Sequence, residues 1–415
     1  MDIHLSLPKA IPHKEIQICG SKSESNRLLI LQKLFPEIEI SNCSDAQDTQ
    51  LLKKALTSND QTIDIHHAGT AMRFLTAYFA TQEGREVILT GSQRMKERPI
   101  SILVDALLNL GAEITYTENE GFPPIKITGQ KISKNKVTIN SNVSSQYISG
   151  LLLIAPILKN GLNITLEGHK TSFPYLKMTL DLLEELGVQY VMEENTIYVK
   201  PLKKLDGSKS FTVESDWSSA SYFYSIVALS PKGTSLSLST FYKESKQGDS
   251  ALSEIYKNFG VETKWLENGI TLTKIEEVKP NNLVLDLKDT PDIAQTIAVT
   301  CFGLGISCKL LGLHTLKIKE TDRLEALKNE LQKLGAYCKT TIDSFTLLES
   351  PSKQLGNSAN KITISTYNDH RMAMAFAPLA ILFPIAVENE SVVEKSYPSF
   401  WKDLQTLGFQ IDSLK

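Results

Sequence analysis

Eight consecutive residues, Gly20-Ser21-Lys22-Ser23-Glu24-Ser25-Asn26-Arg27, hold three serines, a lysine and an arginine directly ahead of the apolar run Leu28-Leu29-Ile30-Leu31. Serine hydroxyls and the free N–H groups of a helix start form an anion site. Lys22 and Arg27 add full charges with donors suited to phosphate or carboxylate. A capped helix with solvated charges is the other reading of this stretch. Five further motifs follow: Gly69-Thr70-Ala71-Met72-Arg73, Arg94-Met95-Lys96-Glu97-Arg98-Pro99, Ser144-Ser145-Gln146, Lys319-Glu320-Thr321-Asp322-Arg323, and Tyr367-Asn368-Asp369-His370-Arg371-Met372-Ala373-Met374. Asp292, in Thr290-Pro291-Asp292, reads as an N-cap or first-turn acid, and Glu320 as half of a surface ion pair. His370 is a proton carrier, a substrate contact or a satisfied structural histidine.

The elements that must position these residues repeat. An apolar residue followed by Gly recurs at Leu110-Gly111, Leu186-Gly187, Phe259-Gly260, Leu334-Gly335 and Leu407-Gly408, spaced 73 to 76 residues apart. Glycine there supplies the left-handed helix cap, and a near-constant interval argues for a repeated unit. In one copy 137–139 reads as a strand, 145–157 as a helix, 162–166 as a strand, 174–186 as a helix, and 189–192 with 196–199 as a hairpin. This is β-α-β-α-β-β. The order can be traced again from Phe211, from Leu283 and from Ile362, while residues 25–65 form a shortened copy. The last copy lacks a strong final hairpin, which Ile3-His4-Leu5-Ser6-Leu7 can complete. Most motifs fall at predicted helix starts, including those at Lys395-Ser396-Tyr397-Pro398 and Arg98-Pro99. Ser, Thr and Asp are good N-caps in any protein. That does not explain why basic residues attend the same ends, where helix-dipole logic places acids.

A chain of 415 residues suffices for two or three domains, and 41% hydrophobic with 22% charged residues fits an ordinary globular protein. Lys plus Arg number 44 against 47 Asp plus Glu. No basic excess exists to hold nucleic acid, so an anion site must be local. Five cysteines without metal-ligand spacing point to a reducing compartment. No signal peptide is legible at the start, and Ala373 to Val387 is too short and proline-broken to span a bilayer.

Taken in order, the six motifs closely resemble those of the enolpyruvyl transferases, in particular the branch acting on shikimate 3-phosphate, across essentially the whole chain. The resemblance implies an α/β (α+β) fold of six β-α-β-α-β-β repeats in two similar domains, helices inside and sheets outside, an inside-out α/β barrel. It implies a discontinuous domain of residues 1–19 and 216–415, a second domain of residues 20–215, and an active site in the cleft between them. The reaction implied joins phosphoenolpyruvate to the 5-hydroxyl of shikimate 3-phosphate and releases phosphate, with no cofactor or metal.

Site residues follow from the same match. Lys22, Asp292 and Glu320 are the catalytic residues. Lys22, Ser23, Arg27, Ser144, Ser145, Gln146, Ser172, Tyr175, Asp292 and Lys319 bind shikimate 3-phosphate. Lys22, Gly69, Arg94, Gln146, Arg323, His370, Arg371 and Lys395 bind phosphoenolpyruvate. His67, Thr315 and Lys317 depart from the family's usual Asn, Asn and Arg. The rivals are the sister branch acting on UDP-N-acetylglucosamine and a non-catalytic polyanion-binding repeat protein. The loop from Ser92 to Pro99 lacks the sister branch's reactive cysteine. The partners expected are the two small-molecule substrates, with no nucleic acid and no membrane, in a cytoplasmic monomer.

Overall fold

Gly111, Gly187, Gly260, Gly335 and Gly408 take φ of 99°, 90°, 71°, 80° and 95°, so the spaced glycines all supply the left-handed turn that ends a helix. A computed structural model of the chain describes residues 1–7, 10–140, 144–168, 173–277, 282–350 and 362–414. Among the described residues five sheets have four strands each, and one has two. Within every four-stranded sheet the pairing is the same. A first strand lies parallel to a second, which runs antiparallel to a fourth, itself antiparallel to a third. Thr62–Asp64, Glu86–Thr90, Ile125–Thr128 and Glu113–Tyr116 make one such sheet in that order, and Lys136–Asn140, Leu162–Glu167, Thr196–Val199 and Tyr190–Glu193 another. Parallel pairing of the first two strands requires a crossover, and the inner helix of each repeat supplies it.

The inner helices Gly69–Ala80, Ser145–Ile154, Trp217–Leu229 and Ala294–Leu304 are buried almost all round, as their mix of apolar and small polar residues with few charges allows. The outer helices Ser101–Leu110, Phe173–Glu185 and Arg323–Lys333 bury one stripe only. Strands such as Lys136–Asn140 alternate buried and exposed side chains, with one face on the helices and one in water. Helices are therefore inside and sheets outside. Among the described residues no helix is long and apolar enough to cross a membrane.

The chain divides into two compact units with separate cores, a discontinuous one of Met1–Cys19 and Glu214–Lys415 and a continuous one of Gly20–Val213. The chain returns to the discontinuous unit at Glu214, within the short stretch Glu214 to Asp216. Ser215 donates from Oγ to Ile18 O (2.7 Å) and from N–H to Thr240 O (2.9 Å). The buried Glu214 carboxylate accepts from Trp217 Nε1 (2.8 Å) and Tyr242 N–H (3.0 Å). Both residues are thereby tied into the discontinuous unit.

The N-terminal strand Asp2–Ser6 does complete the last repeat, between Ile385–Val387 and Gln410–Leu414. The copy expected to begin at Phe211 does not begin there. Lys209–Thr212 pairs with Ile38–Ser41 in the two-stranded sheet of the continuous unit, and the first strand beside Ser235–Ser239 is Glu15–Ile16. A two-residue strand carries no readable period, so nothing in its sequence announces it.

Gly150 shows how packing sets the site. A Cβ there would lie 3.3 Å from Arg73 O and 3.6 Å from Ala77 Cβ. The missing side chain lets Ser145–Ile154 cross close to Gly69–Ala80, and one turn nearer the start Gln146 Nε2 donates to Thr70 Oγ1 (3.0 Å). Two helix starts are thus tied side by side.

Candidate active site

In the discontinuous unit four separate stretches meet around one guanidinium. Arg323, 2% exposed, donates from Nε to Asp369 Oδ2 (2.6 Å), from Nη1 to Asp292 Oδ1 (3.1 Å) and from Nη2 to Glu320 Oε2 (2.8 Å). Arg371 Nη2 lies 3.1 Å from Asp292 Oδ2, and its Nη1 donates to Asp292 O (3.0 Å). Lys395 Nζ sits 2.7 Å from Glu320 Oε1, and Lys319 Nζ 3.7 Å from Asp292 Oδ1. Local sequence explains the placement. Asp322 caps the helix Arg323–Lys333 by accepting from the N–H of Leu324 (3.2 Å) and Glu325 (3.1 Å), which turns Arg323 inward. Asp369 caps His370–Phe376 by accepting from Arg371 N–H (2.9 Å) and keeps a second oxygen for Arg323. Burial pushes the Asp292 carboxyl up, but Arg371, Lys319 and Arg323 outweigh it and hold it well below the usual carboxylate range. Burial alone lowers Arg323, and Asp369, Glu320 and Asp292 more than reverse that. The cluster therefore contains a carboxylate fixed in its basic form, able to receive a proton only once its cations are drawn elsewhere.

The continuous unit gathers a second cluster. Ser21 caps the helix Lys22–Leu34. Arg27, 1% exposed, donates from Nε to Thr179 Oγ1 (2.7 Å), from Nη1 to Ser23 O (2.7 Å), and from Nη2 to Ser149 Oγ (3.1 Å) and Tyr175 O (3.0 Å). Its guanidinium lies 5.3 Å from the Phe74 ring centroid. No carboxylate pairs with it among the described residues, and burial lowers it to about 10. Lys22 Nζ pairs with the buried Asp48 (3.1 Å). Ser144 caps Ser145–Ile154 by accepting from Gln146 N–H (3.3 Å). Arg73 donates to Gly69 O (3.1 Å) and Pro99 O (3.0 Å), and Tyr147 also donates to Pro99 O (2.7 Å). A Cβ on Gly69 would fall 2.7 Å from Arg98 Nη1, so glycine is what lets that guanidinium lie on the backbone.

The family model for EPSP synthase (3-phosphoshikimate 1-carboxyvinyltransferase) matches residues 52–404. The chain belongs to the EPSP synthase family. It is 47% identical over 410 residues to the 3-phosphoshikimate 1-carboxyvinyltransferase of Bacteroides fragilis (strain YCH46), covering 98% of each chain, and 35% identical over 425 residues to that of Sulfurovum sp. (strain NBC37-1), covering 95% and 96%. A solved EPSP synthase structure from Acinetobacter baumannii superposes with a TM-score of 0.77 over 100% of both chains at 21% identity, which bears on the fold. With the family come the transferase class and enolpyruvyl transfer in the shikimate pathway, and neither rival reading is favoured.

Of the residues expected from the EPSP synthase resemblance, Asp292, Lys319, Glu320, Arg323, Arg371 and Lys395 come together in one cluster, with His370 buried beside Asp369 (3.6 Å). Lys22, Ser23, Arg27 and Tyr175 share a second neighbourhood, as do Gly69, Ser144, Ser145 and Gln146. Ser172 lies outside the described residues. Arg94 is half-exposed and pairs with Glu97 (3.2 Å), whereas Arg98, four residues on, meets Gly69. Lys395 closes the 3-10 turn Glu390–Lys395 instead of opening the next helix, and Pro99 and Pro398 stand just outside theirs. His67 Nδ1 lies 2.7 Å from Ser92 Oγ, and Lys317 3.6 Å from Asp322. No local signal in the sequence marks Asp48 as the partner of Lys22, while the Asp-His-Arg run does mark Asp369.

Proposed function

We propose that the chain transfers the enolpyruvyl group of phosphoenolpyruvate to the 5-hydroxyl of shikimate 3-phosphate with these two clusters as its working parts. Lys22, Ser23, Arg27, Ser144, Ser145, Gln146, Ser172, Tyr175 and Lys319 hold shikimate 3-phosphate. Gly69, Arg94, Arg323, His370, Arg371 and Lys395 hold phosphoenolpyruvate. The hydroxyl oxygen bonds to carbon 2 of the enol while carbon 3 gains a proton. The tetrahedral adduct then loses a carbon 3 proton and its carbon–oxygen bond to phosphate. Asp292, held ionised, takes the hydroxyl proton. Glu320, facing the Lys395 ammonium, serves carbon 3. Lys22 adds charge where the enolpyruvyl group forms.

One observation carries this reading: the convergence of Asp292, Glu320, Arg323, Arg371 and Lys395 within hydrogen-bond reach of one another. Phosphate release from phosphoenolpyruvate tests it, run with shikimate 3-phosphate, with UDP-N-acetylglucosamine and with neither. Release with shikimate 3-phosphate alone is the expected result, and release only with the nucleotide sugar defeats it. The chain works as a cytoplasmic monomer. All five cysteines are free thiols, three of them buried, which suits a reducing compartment. Size-exclusion with light scattering checks the monomer.

A further inference from the structure

Asp249 lies in the 3-10 turn Gly248–Ala251, 4% exposed. Its Oδ2 accepts from Ser218 Oγ, and Ser218 Oγ in turn accepts from Arg371 Nη2 (3.3 Å), the same nitrogen that pairs with Asp292. Its Oδ1 is buried with no hydrogen-bond partner among the described residues. The charges facing it are Asp216 at the cap of Trp217–Leu229, Asp292 of the turn Pro291–Ile293 and Arg371 of His370–Phe376. Glu254, on the next helix, points to solvent and Lys257. Burial pushes the Asp249 carboxyl up to about 7, and Asp292 adds to this. Arg371 and the Ser218 hydroxyl pull it back.

Charge balance gives this residue a consequence. Lys319, Arg323, Arg371 and Lys395 face Asp292, Glu320 and Asp369. Counting the Asp216 charge that faces the same carboxylate, and with His370 neutral, these groups carry one net negative charge with Asp249 ionised, and a proton on Asp249 removes it.

We propose that Asp249 is a positioning residue for the anionic substrate: through Ser218 it steers the Arg371 guanidinium against Asp292, and by taking up a proton it removes one negative charge from the cluster that takes that substrate. This rests on the assignment of Arg323, Arg371 and Lys395 to phosphoenolpyruvate. Capture of phosphoenolpyruvate is then coupled to a proton, and its KM rises with pH as Asp249 ionises.

The test is Asp249→Asn, whose neutral amide imitates the protonated acid. Because the substrate phosphate itself titrates near pH 6, the quantity compared is the ratio of variant to wild-type KM at each pH. The ratio is near one at pH 6 and falls about tenfold by pH 8, with kcat changing less than KM. A ratio constant over that range overturns the proposal. Ser218→Ala removes the hydrogen bond that favours the ionised form, so the inflection in KM moves to higher pH. An inflection that stays in place also overturns it. Lys395→Met separates the two levels. If it raises KM for phosphoenolpyruvate at both pH values, a constant Asp249→Asn ratio counts against Asp249 alone. If it leaves KM unchanged, the placement of phosphoenolpyruvate falls and the role of Asp249 with it.

Discussion

The two units keep their buried guanidinium groups in opposite company. Arg323 is held by three carboxylates, whereas Arg27 is held by two hydroxyls, two carbonyl oxygens and a ring face. Carboxylates neutralise a buried cation and raise its hold on the proton. Hydroxyls and carbonyls satisfy its donors and leave its charge. On the proposed function, the continuous unit offers the hydroxyl-held charge of Arg27 to a dianion, and the discontinuous unit offers paired acids and bases that a substrate anion would pull apart.

The sharpest break of this contrast comes from the carboxylates. Asp292→Asn or Glu320→Gln should lower kcat by about 10²–10⁴ while leaving the shikimate 3-phosphate dissociation constant close to wild type. Steady-state kinetics and a binding titration check this, and near-normal turnover in both variants would end the acid/base assignment. Next, Arg27→Met strands the acceptors around it. We expect a loss of about 3–5 kcal/mol in stability by denaturant titration and at least a tenfold weaker hold on shikimate 3-phosphate.

Acid should separate the units as well. A carboxylate with a depressed native pKa stabilises the fold above its unfolded value near 4 and loses that contribution as pH falls below it. Asp292 is such a group. Asp249 and Glu214 are raised, so their contributions are fully present below that value and do not offset the loss. The discontinuous unit should therefore lose stability as pH falls below about 4, visible as earlier hydrogen exchange there than in the continuous unit. The smallest effect expected is that of Gly69→Ala. The new methyl pushes the flexible Arg98 end aside, raising KM for phosphoenolpyruvate a few-fold with little change in stability.

Legibility followed the range of the interaction. The cap glycines sit within one turn of the helices they end, so Gly111 to Gly408 exposed the repeat. Asp322 and Asp369 read as N-caps because capping partners lie two or three residues away. The bond from Arg323 to Asp369 joins residues 46 apart, and the chain Asp249–Ser218–Arg371 spans 31 and then 153. No periodicity records such distances. Arg27 shows a different gap. Its basic character is plain, but both hydroxyls and one of the two carbonyls enclosing it come from Ser149, Thr179 and Tyr175, far along the chain. Glu15–Ile16 is too short to show a period, and the strand that holds Phe211, Lys209–Thr212, belongs to the other unit.

That exchange of strands has a bearing on the order in which the molecule can assemble. Everything needed for the sheets of the continuous unit has been synthesised once Thr212 is made. Asp2–Ser6 and Glu15–Ile16, though translated first, must wait for Ser235–Ser239, Ile385–Val387 and finally Gln410–Leu414. These early strands are thus among the last to be docked, and closing that ring joins Asp2 to Leu414.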